Sequence, residues 1–142
     1  MRAGIIPLTP TEPVPAVGLG RVHFAGIGGA GMSGIARIML ARGIGVSGSD
    51  AMPSALLDDL SAHGARVHVG HASANLGDLG AGDTLVLSSA IRPDNPELAE
   101  ATRRGMRVMH RAAALASIFL ALTLTRPLGS SMFVITEMVS SW

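Results

Sequence analysis

The stretch that decides the fold is Val22-His-Phe-Ala25, followed directly by Gly26-Ile-Gly-Gly-Ala-Gly31. A short, mostly apolar run that leads into a glycine-rich turn is typical of a buried β-strand. After the turn, apolar residues such as Ile35 and Met39 recur at helical spacing. The sequence therefore predicts a strand, a tight glycine turn and a helix from about residue 31 to residue 42.

The same alternation of short apolar runs with helical stretches continues from this unit towards the C-terminus. Strands are predicted at residues 22–25, 45–49, 66–69, 84–87 and 107–109, and two further helices at residues 53–64 and 93–104. Strands and helices that alternate at this spacing are typical of a parallel sheet covered on both faces. We therefore predict an α/β fold, a Rossmann-like doubly wound parallel sheet of about five strands, as a single domain with an atypical C-terminal tail.

The composition excludes several kinds of chemistry. The chain of 142 residues has no Cys, which excludes disulfides, thiolate nucleophiles and Cys-based zinc sites. All eleven basic residues are Arg, so no Lys is present for a phosphate-binding P-loop or a Schiff base. The formal net charge of +1 is a near balance, and it predicts no nucleic-acid partner.

The two ends of the chain differ from its centre. Residues 1–20 contain four prolines and are expected to form a disordered leader rather than a signal peptide. Residues 112–125 contain no Asp, Glu, Lys or Arg, but this apolar stretch is shorter than the roughly 20 residues of a membrane helix. A cytoplasmic protein without a membrane partner is therefore expected. The composition changes abruptly after residue 117, so we predict a domain at 21–117 and a divergent tail of uncertain structure at 118–142.

The spacing Gly26-x-Gly28-x-x-Gly31 is typical of a loop that binds a pyrophosphate. The first glycine permits the turn, the second admits the phosphate, and the third allows close packing of helix and sheet. The amides at the start of the next helix favour an anion. Asp50, at the end of the second strand, lies where a ribose-binding acid is expected. The alternatives are a tight connection without a ligand and, for Asp50, a helix cap.

Other polar residues follow the predicted strands, at the edge where open α/β sheets bind ligands. These are Ser49, His71, Ser88 and Ser89. Turn capping is the alternative for the two adjacent serines, and an ordinary loop histidine is the alternative for His71. His23 lies within a strand and is most simply a partly buried structural histidine. No metal-ligand spacing and no Ser-His-Asp arrangement is present, so neither a metal site nor a catalytic residue is predicted.

Several separated runs resemble a single family in the right order: residues 21–36, 46–50, 87–98 and 108–111. They resemble the N-terminal domain of the UDP-N-acetylmuramate–L-alanine ligases, the Mur ligases that add the first amino acid in peptidoglycan synthesis. The resemblance covers roughly residues 20–117. It implies that the partner is UDP-N-acetylmuramate and that this domain binds its UDP part.

The resemblance also implies roles for individual residues. Gly28, Gly29, Ala30, Gly31, Met32 and Ser33 would hold the diphosphate. Ser49, Asp50, Ser88 and Ser89 would contact the nucleotide and nearby groups. His71 matches a family position near the diphosphate, which favours a ligand role for it.

The sequence departs from the family after this domain. Full-length members use ATP and Mg²⁺ in a central domain that opens with a Gly-Thr-His-Gly-Lys-Thr P-loop, which these 142 residues lack. We therefore expect no cofactor to bind this chain and no ligase activity from it alone, and a truncated gene, a frameshift or an erroneous gene model would explain the departure. An NAD-binding module and a non-binding remnant with an apolar tail are the alternatives. The oligomeric state is not predicted.

Overall fold

The computed structural model describes residues 16–125, and the predictions for residues 1–15 and 126–142 lie outside this range. Its elements, in chain order, are β1 (Val22–Ala25), α1 (Ala30–Ala41), β2 (Val46–Asp50), α2 (Ala55–Ala62), β3 (Arg66–Val69), β4 (Thr84–Leu87), α3 (Pro96–Arg103), β5 (Arg107–His110) and α4 (Arg111–Thr125). Two short 3-10 helices lie at Ala16–Leu19 and Ser73–Leu76.

The five strands form one parallel sheet in the order β3-β2-β1-β4-β5. From the central strand β1, the chain adds β2 and β3 on one side and then crosses over to add β4 and β5 on the other side. Val22 of β1 pairs with Val46 of β2 and with Thr84 of β4. The predicted α/β doubly wound fold is confirmed. In such sheets the order reverses beside the first strand, and ligands bind at the carboxyl ends of the strands around that point.

The two faces of the sheet have different cores. On one face, α1, α2 and α4 bury an apolar cluster that includes Val22 and Phe24 of β1. On the other face, α3 and the second 3-10 helix cover a smaller cluster that includes Leu85 and Val108. Because side chains alternate along a strand, His23 lies on the opposite face from Phe24, and it is fully buried there.

Most element boundaries lie within two residues of the sequence-based expectation, but three features differ more. Helix α3 begins at Pro96 rather than at Pro93, because the Asn95 side chain caps it by accepting from two backbone amides. The 3-10 helix at Ala16–Leu19 lies within the segment expected to be disordered, and Leu19 is fully buried. Helix α4 was not assigned from the sequence, and it continues past residue 117.

Helix α4 contributes to the core beyond the predicted domain boundary. Ile118 is fully buried and Phe119 is 9% exposed, and both belong to the apolar cluster under α1 and α2. Their burial reflects a face that α1 and α2 alone do not cover. Within residues 16–125, no helix is long and apolar enough to cross a membrane.

Candidate functional site

The glycine-rich loop between β1 and α1 is fastened to the end of β2. The amides of Gly26 and Ile27 both donate to the carbonyl oxygen of Ser49, at 2.8 and 2.9 Å. The amide of Gly28 donates to Oδ2 of Asp50 at 2.9 Å. Gly26 has a φ of +88°, a left-handed backbone conformation that residues other than glycine rarely adopt. The loop therefore has a fixed path over the carboxyl edge of the sheet.

The start of α1 has backbone amides that are not used by the helix itself. Gly29, the residue before the helix, provides no side-chain cap, and the amide of Ser33 is the first to bond back, to the Gly29 carbonyl. Among the described residues, no acceptor is bonded to the first-turn amides of Ala30, Gly31 and Met32. Three such amides at the positive end of a helix dipole favour an anionic ligand.

The side chain of Arg111 lies against this first turn. A Cβ atom added at Gly31 would collide with Nη1 of Arg111 and would lie 3.0 Å from its Cδ and 3.2 Å from its Cζ. Arg111 is the first residue of α4, which packs beside α1. The third glycine of the motif therefore makes room for a guanidinium group, whose positive charge lies beside the first turn of α1.

The end of β4 adds a hydroxyl group on the other side of the loop. Oγ of Ser88 would lie 2.6 Å from a Cβ at Gly26, so the serine and the first glycine are in close contact. The amide of Ser88 donates to the Ala25 carbonyl at 3.2 Å, which extends the strand pairing by one residue. Ser88 is half-buried and Ser89 is exposed.

A buried polar cluster lies beneath the end of β2. Oγ of Ser49 is 2.7 Å from Oε1 of Glu97 and 2.8 Å from Nδ1 of His71. Ser49 and Glu97 are both fully buried, whereas the His71 side chain is 22% exposed. His23 joins the cluster through a contact of 2.9 Å between its Nε2 and Glu97 Oε1. The cluster connects the buried interior beside the sheet with the carboxyl edge of the sheet, where His71 is partly exposed.

Glu97 is held as a carboxylate by the groups around it. Burial by itself raises the pKa of this carboxyl, but hydrogen bonds from His23, Ser49 and Asn75 and attraction to His23 outweigh it. The result is a pKa of about 2. A carboxylate at this position accepts hydrogen bonds from groups on β1, β2 and the loop after β3.

Comparison with known proteins places the chain in a family. The sequence profile described as "Mur ligase family, catalytic domain" matches residues 21–122, which is more than half of the chain. The chain belongs to the Mur ligase family. A UDP-N-acetylmuramate–L-alanine ligase of Thermobifida fusca is 61% identical over 111 residues, which cover 78% of this chain and 23% of that protein. The enzyme of the same name from Nocardioides sp. is 61% identical over 109 residues, covering 77% and 24%.

Solved structures agree with this assignment. The crystal structure of the UDP-N-acetylmuramate–alanine ligase of Thermotoga maritima superposes with a TM-score of 0.63 at 30% sequence identity, covering 67% of this chain and 21% of that one. The chain thus spans slightly less than a quarter of the length of the two curated relatives above. The predicted family resemblance is confirmed for the part of the Mur ligases that this chain covers.

The Mur ligase fold brings the predicted site residues to one edge of the sheet, but in different environments. Met32 and Ser33 are buried, and the Ser33 hydroxyl donates to the Ala30 carbonyl, so neither side chain is available to a ligand. Ser49 is fully buried, and it contacts Glu97 and His71. Asp50 is bonded to the Gly28 amide.

Two residues of this candidate site were missed by the sequence-based reasoning. Glu97 had no distinguishing feature within a predicted helix, although the polar His23 and Ser49 on neighbouring buried strands require polar partners. Arg111 was quoted only as part of the family resemblance. Its contact with Gly31 depends on the packing of α4 against α1, which no local sequence pattern encodes.

Proposed function

We propose that this chain binds the UDP part of UDP-N-acetylmuramate, as a substrate-binding domain of peptidoglycan synthesis. The observation that carries the proposal is the first turn of α1, where three amides without a described acceptor lie beside the guanidinium of Arg111. The names of the similar ligases supply the identity of the anion, since UDP-N-acetylmuramate contains a diphosphate.

In this proposal the diphosphate lies over the start of α1. The amides of Ala30, Gly31 and Met32 donate to its oxygens, and Arg111 adds a charge-assisted hydrogen bond. Ser88 and His71 lie at the ends of β4 and after β3, where they reach the groups on either side of the diphosphate. The amide of Gly28 already donates to Asp50, so it stabilises the loop in this arrangement rather than holding the ligand.

The proposed function is binding without a phosphoryl-transfer step. The residues present do not fit an ATP and Mg²⁺ site, because the sequence has no Lys for a P-loop. We infer that these 142 residues alone do not form the amide bond made by the full-length ligases.

The environment of Asp50 argues against NAD as the ligand. An NAD-binding site of this type uses the acid after the second strand to bind the hydroxyl groups of the adenosine ribose. Here Oδ2 of Asp50 accepts from Gly28, and Oδ1 lies 3.5 Å from the amide of Met52. Both oxygens therefore face the protein's own backbone.

The test is calorimetric titration of the chain with UDP-N-acetylmuramate and, in parallel, with UDP and NAD. We expect saturable binding of the first two and none of NAD. Arg111→Gln should weaken binding by about tenfold or more, since a charge-assisted hydrogen bond contributes about 1.5 kcal/mol or more. Arg103→Gln, on the exposed side of α3, is the matched control and should bind like the parent. Binding of NAD alone, or equal affinity in the Arg111 variant, would contradict the proposal.

A further inference from the structure

Glu97 accepts a hydrogen bond at each of its four available positions. Oε1 accepts from His23 Nε2 at 2.9 Å and from Ser49 Oγ at 2.7 Å. Oε2 accepts from the amide of Ala72 at 3.1 Å and from Nδ2 of Asn75 at 2.7 Å. A carboxylate only accepts, so each of these four groups must direct a hydrogen atom towards Glu97.

This requirement fixes the hydrogen atom of Ser49. A serine hydroxyl has one hydrogen atom to donate, and that atom points to Glu97. Towards Nδ1 of His71, at 2.8 Å, Ser49 can therefore only accept. It follows that Nδ1 of His71 carries a hydrogen atom. Oε2 of Glu97, 3.8 Å from the same nitrogen, favours this arrangement electrostatically.

A neutral imidazole carries one hydrogen atom, so Nε2 of His71 has a free lone pair. Among the side chains of residues 18–120, none is hydrogen-bonded to this nitrogen. The His71 ring is also bonded to Ser49, whose carbonyl oxygen anchors the glycine-rich loop. The lone pair of Nε2 is thus held in a fixed relation to that loop.

We propose that Glu97 is a positioning residue which, through Ser49, holds His71 in the Nδ1–H tautomer and so presents Nε2 as an acceptor for a hydroxyl group of the bound UDP-sugar. The proposal rests on the proposed function for the identity of the ligand. It also gives Ser49 a different role from direct contact with the nucleotide. Because Ser49 is fully buried, it acts on the ligand only through His71.

The first test needs no variant and no ligand. In a long-range ¹H–¹⁵N NMR spectrum of the ¹⁵N-labelled protein at about pH 8, His71 should show a protonated Nδ1 and an unprotonated Nε2. The same tautomer should persist when UDP-N-acetylmuramate is bound. A protonated Nε2 in the free protein, or its protonation on binding, would overturn the proposal.

The second test breaks the connection between Glu97 and His71. Ser49→Ala leaves Glu97 its other three donors, and it should abolish the single tautomer of His71 and weaken UDP-N-acetylmuramate binding by about tenfold. Glu97→Gln should change the tautomer in the same way if the variant folds. Glu100→Gln, on the same helix and bonded to Arg103 and Arg104, is the matched control and should change neither readout.

The outcomes separate the two proposals. If Ser49→Ala weakens binding while the tautomer stays as in the parent, Ser49 contacts the nucleotide directly and the positioning role of Glu97 is wrong. If the ligand-free protein shows the Nδ1–H tautomer and UDP-N-acetylmuramate does not bind, the arrangement of His71 is supported and the proposed function is wrong.

Discussion

Gly31 is the residue at which one added methyl group would disturb the proposed anion site most selectively. In Gly31→Ala the new Cβ collides with the flexible end of Arg111, so the guanidinium must move away from the first turn of α1. We expect the affinity for UDP-N-acetylmuramate to fall about tenfold in calorimetry. The melting temperature should be unchanged or slightly higher, because Ala favours a helix over Gly by about 0.5–1 kcal/mol.

The neighbouring glycine provides the control for that substitution. A Cβ at Gly29 would lie 3.5 Å from the Gly26 carbonyl oxygen and 3.8 Å from Met32 Cγ, both ordinary contacts. Gly29→Ala leaves Arg111 in place and should therefore lose less affinity than Gly31→Ala. Equal losses of affinity in the two variants would show that the displacement of Arg111 is not the cause.

Single residues show what a motif does and does not predict. The glycine spacing predicts a tight turn correctly, yet the space above Gly28 is occupied by Asp50, whose Oδ2 would lie 2.8 Å from a Cβ there. A motif records which positions lack side chains, not what occupies the space. The roles of the site residues stay predictions until binding is measured.

At the scale of the element, the cap of α3 connects stability with the polar cluster. The side chain of Asn95, itself 6% exposed, accepts from the amides of Glu97 and Leu98. Asn95→Ala should lower the free energy of unfolding by about 1–2 kcal/mol in urea denaturation, the upper part of the range for a lost cap. The substitution also removes the hydrogen bond from the Glu97 amide to Asn95 Oδ1. This bond orients the backbone from which the Glu97 side chain extends into the polar cluster.

Ser54 at the start of α2 is the comparison for that prediction. Its side chain accepts from the amide of Leu57 at 3.3 Å, at an exposed helix end. Ser54→Ala should therefore cost about 1 kcal/mol or less. A larger loss in the Ser54 variant than in the Asn95 variant would contradict the special position of the α3 cap.

The elements also show how far periodicity carries. The five strands and the first three helices were predicted because each is a short, self-contained pattern. Helix α4 was not assigned, because its sequence is apolar on all sides and shows little helical alternation. Helix α4 covers the part of the sheet face that α1 and α2 leave uncovered. The need for such a helix is seen only in the assembled sheet and not in a local sequence pattern.

At the scale of the whole molecule, acid should unfold the protein through its carboxylates. The pKa of Glu97 is lowered from 4.5 to about 2 in the folded state. The stability this contributes is fully present above the unfolded pKa of 4.5, and it is lost as the pH falls from 4.5 to about 2.

Denaturation curves between pH 7 and pH 3 would measure this dependence. Asp83 acts in the same direction: burial raises its pKa, but hydrogen bonds from the amides of Gly80 and Arg21 and from the Arg21 side chain lower it overall. Glu97→Gln should be less stable at pH 7 and should lose less stability on acidification. If the parent and the variant have parallel curves, folding does not lower the pKa of Glu97.

The long separation between partners has a consequence for synthesis on the ribosome. Arg21 bonds to Asp83, 62 positions later, and His23 bonds to Glu97, 74 positions later. When only β1, β2 and β3 have been synthesised, neither Asp83 nor Glu97 is yet present to bind these partners. Meanwhile the sheet face that carries His23, Ser47 and Ser49 presents hydroxyl and imidazole groups to water. The growing chain thus exposes one apolar sheet face instead of two, which reduces its tendency to aggregate before α3 is synthesised.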